Sequence, residues 1–540
     1  MSVALLVLAA GLLALFALGL TRPWLGLVVL LAALPFNGLL LHVGAPQLGL
    51  SGTSATMLAA WHDAIAGGVI AAAGLRWLGD RGRSFGALEA AVVVVLFLGL
   101  DSLIVAAHFT TALYAYRTLY EPVALMVAVV VLGRGRRLPD GLLSRVGLAI
   151  VISGIVASLF AAWQVYVGGY SFLDQFYRAD DGTLSFAYFA SQISQVRAVG
   201  TFNSPNEFGA YLTIAICFLF FSAAVSSTRW RVWAAVPLGL ALILTMSRSG
   251  WLSFFFAIAL LVLLLPQKRT HLVEARARLR MSSSWRAFGP PVVAFALVTS
   301  AILFTSGLPN FVGAMVGGRD LSGLEHIKQI TGIVGGDITA ASASPSPPEQ
   351  PTPTASPTPT PTATPAPSTE PAASVTPGPA GSAGPSAAPA SPAGTSPPPA
   401  PTAVPTRVVT VCREPSSGAH LEPFGMGLGS VGPKSDRFGE TPVLLNSEMW
   451  YLDYLWQAGF FGLLALLALA AIIVRKLWSG RREAMSRGAI AVMGGLALGA
   501  LFIPVLDEPT VAVPLWTLLA FGLLAAERAK DAAEPLPPAS

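Results

Sequence analysis

Long runs of apolar residues, almost free of charge, decide what this chain can fold into. Leu148–Val167, Phe208–Val225 and Trp251–Leu265 hold no charged side chain, and Phe85–Ala107 holds only Glu89 and Asp101. A bilayer core about 30 Å thick calls for about 20 such residues per helix, fewer where a helix is short. A water-soluble core cannot absorb that much apolar surface. Only 11% of the 540 residues are charged, against about a quarter in soluble domains. The expected class is an all-α integral membrane protein. The first run, Val3–Leu20, has no basic residue ahead of it and Arg22 after it. That charge order predicts a retained helix, not a cleaved leader.

The runs predict helices near 3–20, 23–43, 61–78, 85–107, 114–132, 144–168, 207–225, 232–246, 250–265, 288–306, 448–474, 487–506 and 511–526. The count is about 12–13 transmembrane helices, with one large loop before the last three. Lys and Arg resist translocation and so set the orientation. They cluster in alternate loops: Arg22; Arg76 to Arg83; Arg134 to Arg145; Arg229 and Arg231; Lys268 to Arg286; Arg475 to Arg487; Arg528 and Lys530. This alternation puts those loops and the C-terminus in the cytoplasm of a multi-pass plasma-membrane protein, and the loop 307–447 outside. The net charge of +5 follows from the same bias and argues for no nucleic-acid partner. The chain divides into N-terminal helices (1–194), a core (195–306), the extracytoplasmic loop (307–447), the last three helices (448–526) and a tail (527–540).

Within the loop, Ala341–Thr406 contains 21 of the 42 prolines and two charges, Glu349 and Glu370. With almost nothing apolar to bury, it is expected to be an extended, disordered tether. Before it, Leu321, Leu324, Ile327 and Ile330 recur every third residue, as on one face of a short surface helix. After it, Phe424–Gly432 is glycine-rich, as backbone must be where it turns tightly or approaches a ligand closely.

Four spots on the expected outer side are polar where the surroundings are apolar. In Arg197–Tyr211, Ser204, Pro205 and Glu207 form a capping box with a first-turn proline. That helix entrance also presents free N–H groups suited to an anion, beside Arg197, Asn203 and Asn206. In Thr245–Gly250, Arg248 sits between two hydrophobic helices, a costly position that marks a functional candidate. Arg319 opens the surface segment. Glu448 and Asp453 stand at the mouth of the eleventh helix, among Trp450, Tyr451, Tyr454 and Trp456, which read as an interfacial aromatic belt. No nucleotide-binding glycine loop, paired metal-binding histidines or Cys-x-x-Cys occurs, so neither a cofactor nor a metal is expected.

These segments resemble motifs of the O-antigen ligase and polymerase superfamily. "GTFNSPNEFGAYL", "MSRSGWL", "GGRDLSGLEHI" and "FGMGLGSVG" followed by "NSEMWYLDYLWQAGFFG" fall in the family's order. "DEPTVAVPLWTLLAFGL" is similar to its closing helix. The likeness covers about 195–526 without the tether. It implies transfer of a glycan from a polyprenyl-diphosphate carrier to a glycan or lipid acceptor at the outer face. Arg248 and Arg319 are implied as catalytic, neutralising the diphosphate. Arg197, Asn203, Asn206, Asn446, Gly427 and Gly429 are implied as substrate-binding. Glu448 stands where ligases carry histidine and is implied as the base, with Asp453 and Glu207 next in line. The rival expectation is a transporter or flippase, whose polar sites would lie near the bilayer midplane in broken helices.

Overall fold

An apolar run has few internal reasons to stop being a helix, so the stops fall at proline, glycine and capping side chains. The computed structural model describes residues 3–80, 86–106, 108–134, 138–178, 189–190, 195–221, 228–264, 423–430 and 449–532. All of them belong to the unit formed by Met1–Ser344 and Pro415–Ser540. The expected helix 288–306, the segment 319–330 with Arg319, the tether, Asn446 and Glu448 lie outside the described residues.

The helices are α1 (Val3–Thr21), α2 (Pro23–Ala33), α3 (Thr53–Ala59), α4 (Trp61–Gly79), α5 (Ala87–Ile104), α6 (Phe109–Gly133), α7 (Leu142–Trp163) and α8 (Gly169–Phe176). They are followed by α9 (Pro205–Phe221), α10 (Thr228–Leu244), α11 (Arg248–Leu263), α12 (Trp450–Ser479), α13 (Ala484–Gly499) and α14 (Pro509–Asp531). A two-residue antiparallel ladder, β1 (Phe189–Ala190) with β2 (Gln195–Val196), precedes α9. Helices occupy twelve of the thirteen expected positions. Seven are long and apolar enough to cross a membrane, or eight if the pair α3–α4, bent by 47°, counts as one span. The other four are shorter, 10–17 residues.

Two helices are more irregular than their apolar runs suggest. Beyond Ala33, α2 passes through a 3-10 turn, Leu34–Phe36, and a π turn, Leu40–Gly44. Pro35, which cannot donate a ladder hydrogen bond, lies in the first of these. Helix α12 runs from 450 to 479, but at Gly459 its backbone leaves the helical region (φ 73°, ψ −179°).

Small residues set the helix seams, as they do where lipid offers no hydrophobic drive for association. A Cβ on Gly19 of α1 would overlap Ile65 O of α4, and one on Gly68 of α4 would overlap Phe16 O of α1. Ser153 Oγ of α7 donates to Ala32 O of α2 at 2.7 Å. The α11–α13 seam packs Gly495 and Gly499 against Ser253 and Ala257. Helix α9, buried over most of its length, is the centre, touching α7, α10, α11, α13 and α14. Helix α1 is peripheral, with Gly19 as its one buried residue.

One end of the bundle is tied by charge. Arg134, just past α6, bonds Glu89 of α5 and both carboxylate oxygens of Glu527 of α14, the latter at 2.7 and 3.1 Å. Glu527 also meets Lys476 of α12 at 3.8 Å. Arg76 of α4 donates to Leu132 O, and to Arg134 O at 3.0 Å. Bonding to Glu527 raises the basicity of Arg134 above its ordinary value, against the opposing effect of burial. Basic loops that the charge pattern assigns to one side thus meet at one end. The starts of α6, α9, α11, α12 and α14 lie at the other.

Candidate functional site

The end opposite Arg134 is assembled around the entrance to α9. Ser204 Oγ accepts from Glu207 N at 3.2 Å, and Glu207 Oε2 accepts from Asn203 N at 3.0 Å, so the capping box forms as its spacing predicts. The other carboxylate oxygen, Oε1, accepts from Thr510 Oγ1 in the first turn of α14. Glu207 is 1% exposed. With both oxygens engaged, it ties two helix starts together.

The segment leading into the box is fastened at several points. Gln164 Oε1 accepts from Val199 N and Gly200 N at 3.0 and 2.9 Å. Thr201 Oγ1 donates to Pro35 O at 2.6 Å, and Leu39 N donates to Thr201 O at 2.9 Å. Gly38 packs so closely on Phe202 that a Cβ would overlap its backbone. The bend in α2 is therefore the wall on which this segment rests.

Arg197 and Arg248 come together here. Arg197 Nε donates to Thr245 O at 2.9 Å and its Nη2 to Asn206 Oδ1 at 2.8 Å. Both acceptors are neutral. Burial first, and the positive charge of Arg248 second, lower its pKa to about 10. The protonated form is the one penalised, so the penalty operates at every pH below about 10, neutral pH included.

Arg248 is the first residue of α11, in a constrained turn. Met246 has a left-handed backbone (φ 47°) though it is not glycine, and is buried. Such conformations survive where surrounding bonds over-determine them. Here Thr245 Oγ1 donates to Leu242 O (2.7 Å), Ser247 N donates to Thr245 Oγ1 (3.2 Å), and Ser247 Oγ caps α11 by accepting from Gly250 N (3.1 Å).

Helix α12 reaches the same neighbourhood. Trp450 N donates to Ala500 O at 3.1 Å, and a Cβ on the preceding residue, Gly499, would lie 3.3 Å from Ser249 O. The start of α12 is thus linked through Gly499 and Ala500, at the end of α13, to Ser249, the residue following Arg248. Trp450 and Tyr454 are buried, not an interfacial belt: Tyr454 Oη pairs with Tyr120 Oη at 3.0 Å, and the two α12 rings stack at 5.3 Å. Asp453 is buried too, 4% exposed. Gly427 and Gly429 are also buried; a Cβ there would come within 2.6 Å of Ala106 Cα and 2.7 Å of Thr111 Cγ2. Here these glycines lie close against Ala106 and Thr111 of the chain itself.

A second polar cluster escaped the motif reading. Asp63 of α4 pairs with Arg117 of α6 at 2.8 Å and with His62 Nδ1 at 3.0 Å. Glu121, one turn beyond Arg117, lies beside Asp63. The Arg117 guanidinium covers the Tyr114 ring at 4.7 Å, and Trp61 Nε1 donates to Asn37 Oδ1 at 3.0 Å. Its signal was in the sequence: charges inside otherwise apolar helices. Removing one partner strands the other, so Asp63→Ala or Arg117→Ala should cost about 1–2 kcal/mol, tempered by partial exposure of both. The double substitution should recover part of that loss in thermal melts. Additive losses would mean the pair is not coupled.

The fold and these ends define a class, a helical multi-pass membrane protein with like-charged arginines clustered at one end. No protein-family model, curated protein or solved structure matches this chain. Among the described residues, no group of three or more His, Cys, Asp or Glu side chains is placed to hold a metal ion.

Proposed function

We propose that this protein is a membrane glycan transferase acting on a polyprenyl-diphosphate donor at the outer face of the plasma membrane, with ligase-like or polymerase-like chemistry. The observation that carries the reading is the pairing of Arg197 with Arg248. Arg197 is bonded to Thr245 O, three residues before Arg248, and feels its positive charge; two arginines at one end, beside helix N-termini, suit an anion bearing several negative charges. In the proposed reaction an acceptor hydroxyl oxygen attacks the anomeric carbon of the donor sugar. The bond from that carbon to the diphosphate breaks, and polyprenyl diphosphate leaves. Arg197, Arg248 and Arg319 stabilise the charge that develops on it. Glu448 takes the hydroxyl proton. The meeting of the basic loops at the Arg134 end supports placing that end in the cytoplasm and the arginine end outside, within a bundle of about 12–13 transmembrane helices.

Inorganic diphosphate added to the purified chain should raise its melting temperature, and Arg248→Ala should remove that rise. The full reading requires the chain, in vesicles with a lipid-linked glycan, to release polyprenyl diphosphate and extend an acceptor. A different observation favours transport: the bent pair α3–α4, the break in α12 and the Asp63–Arg117 cluster are features of carriers with discontinuous helices. Movement of the lipid-linked glycan between leaflets with no new glycosidic bond would select that reading.

A further inference from the structure

The break in α12 is filled by the chain itself. In an unbroken helix Phe461 N would bond Gln457 O, and Trp456 O would accept from Phe460 N. Instead Phe461 N donates to Pro423 O at 3.2 Å, and Trp456 O accepts from Met426 N at 2.8 Å. The segment Pro423–Ser430 thus supplies a donor and an acceptor where the helix gives up its own. Within a membrane such groups must be satisfied by protein.

Its far side is fastened as well. Leu428 N donates to Ser102 O of α5 at 3.1 Å, and Gly429 N to Gln457 Oε1 at 3.0 Å. Leu428 is itself buried, 2% exposed. Gly425, Gly427, Gly429 and Gly459 all have left-handed φ, 73° to 93°. A Cβ on Gly459 would overlap Gly425 N, and one on Gly425 would overlap Gln457 O. The repeated glycines are what lets backbone lie directly on backbone.

From this we infer that Pro423–Ser430 is a positioning strap, docked throughout turnover, that sets the place of the half-helix Trp450–Ala458 against α13 and, through α13, of the helix that begins at Arg248. The inference rests on the transferase reading for its consequence, not for its geometry. The half-helix is fastened onward to α13 by Trp450 N to Ala500 O and by Tyr451 Oη to Ala497 O at 2.9 Å. Helix α13 packs on α11, which begins at Arg248. The strap is therefore linked through α12 and α13 to the helix that carries Arg248, and its residues act through others without touching substrate.

Two kinds of measurement on the full-length chain in bilayers decide this. Hydrogen exchange should find the Met426 and Phe461 amides protected in the wild type and exposed in Gly425→Ala. Rapid exchange of both in the wild type would overturn the strap even if the protein transfers no glycan. In transfer assays, Gly425→Ala should lower kcat by about 10- to 100-fold, as a misplaced reacting group does, with the donor KM nearly unchanged. Gln457→Ala should do so more mildly, and Gln457→Glu, which keeps an acceptor oxygen for Gly429 N, should restore most of the loss. Phe424 and Phe461, whose rings lie 5.5 Å apart, supply the last arm. With both replaced by cysteine in a Cys412→Ser background and bridged by a short thiol reagent, the chain should keep its kcat. Loss of transfer on bridging would show that the segment must undock. A rise in donor KM with unchanged kcat in Gly425→Ala would make it a donor-binding element instead.

Discussion

Arg248→Ala is expected to lower glycan transfer by about 100- to 1,000-fold while the protein accumulates at its usual level, the cost of removing one donor to a developing anionic charge. The two halves of that expectation have separate causes. The turn before α11 is fastened by Thr245 and Ser247 through side-chain bonds, so its shape does not rest on the guanidinium of Arg248 alone. The electrostatics of the end do. Arg197 is depressed partly because Arg248 is near, and removing Arg248 should bring its pKa back up. Arg248→Lys should recover part of the activity only, because a point charge lacks the forked geometry of guanidinium. Arg197→Ala should be a less clean experiment. Its side chain holds Thr245 O and Asn206 Oδ1, so activity and melting temperature should fall together. Wild-type transfer by Arg248→Ala would remove the arginine pair from the reaction.

What the sequence made legible was what depends on near neighbours. The capping box needs only Ser204 and Glu207 three apart, and it forms as spacing predicts. Apolar runs position the helices for the same reason. Pairings made across the fold were not legible. The spacing of Ser204 and Glu207 gives no hint that Thr510, some 300 residues away, bonds the second oxygen of Glu207. Trp450 and Tyr454 have the composition of an interfacial belt, but Tyr120 on a distant helix draws them inward. The glycines of 425–429 were visible as a motif, yet their partner is the break at Gly459, which has meaning only once the two segments meet. Asp63 and Arg117 lie 54 residues apart, and each alone resembles a stray charge in an apolar helix. Met246 gave no sign of its left-handed backbone, because bonds around it impose that conformation and its own side chain does not.

The largest structural effect is expected at the seam between α11 and α13, where two adjacent glycines should respond in opposite directions. A Cβ on Gly495 would overlap Ser253 O and lie 2.7 Å from Ala257 Cβ. The backbone of α11 cannot step aside without moving the helix. A Cβ on Gly494 would meet Leu260 Cδ1 at 2.5 Å, the far end of a side chain that can rotate away. In a helix interior Gly→Ala gains about 1 kcal/mol from propensity alone, whereas overpacking a tight seam costs about 1–3 kcal/mol. At position 494 the gain should prevail, leaving the melting temperature unchanged or slightly raised. At position 495 the clash should prevail, so Gly495→Ala should melt lower and Gly495→Leu lower still. Activity should follow through α11. Ser249 and Ser253 share the helix that begins at Arg248, and Gly499 rests against both. Pushing α13 away at Gly495 shifts that helix relative to α12, whose first residue is bonded to Ala500. Gly495→Leu should therefore lose transfer even below its melting temperature, while Gly494→Ala should keep it. Equal melting temperatures for the two alanine variants would mean that the seam is looser than these contacts require, and that Arg248 is not positioned by α13.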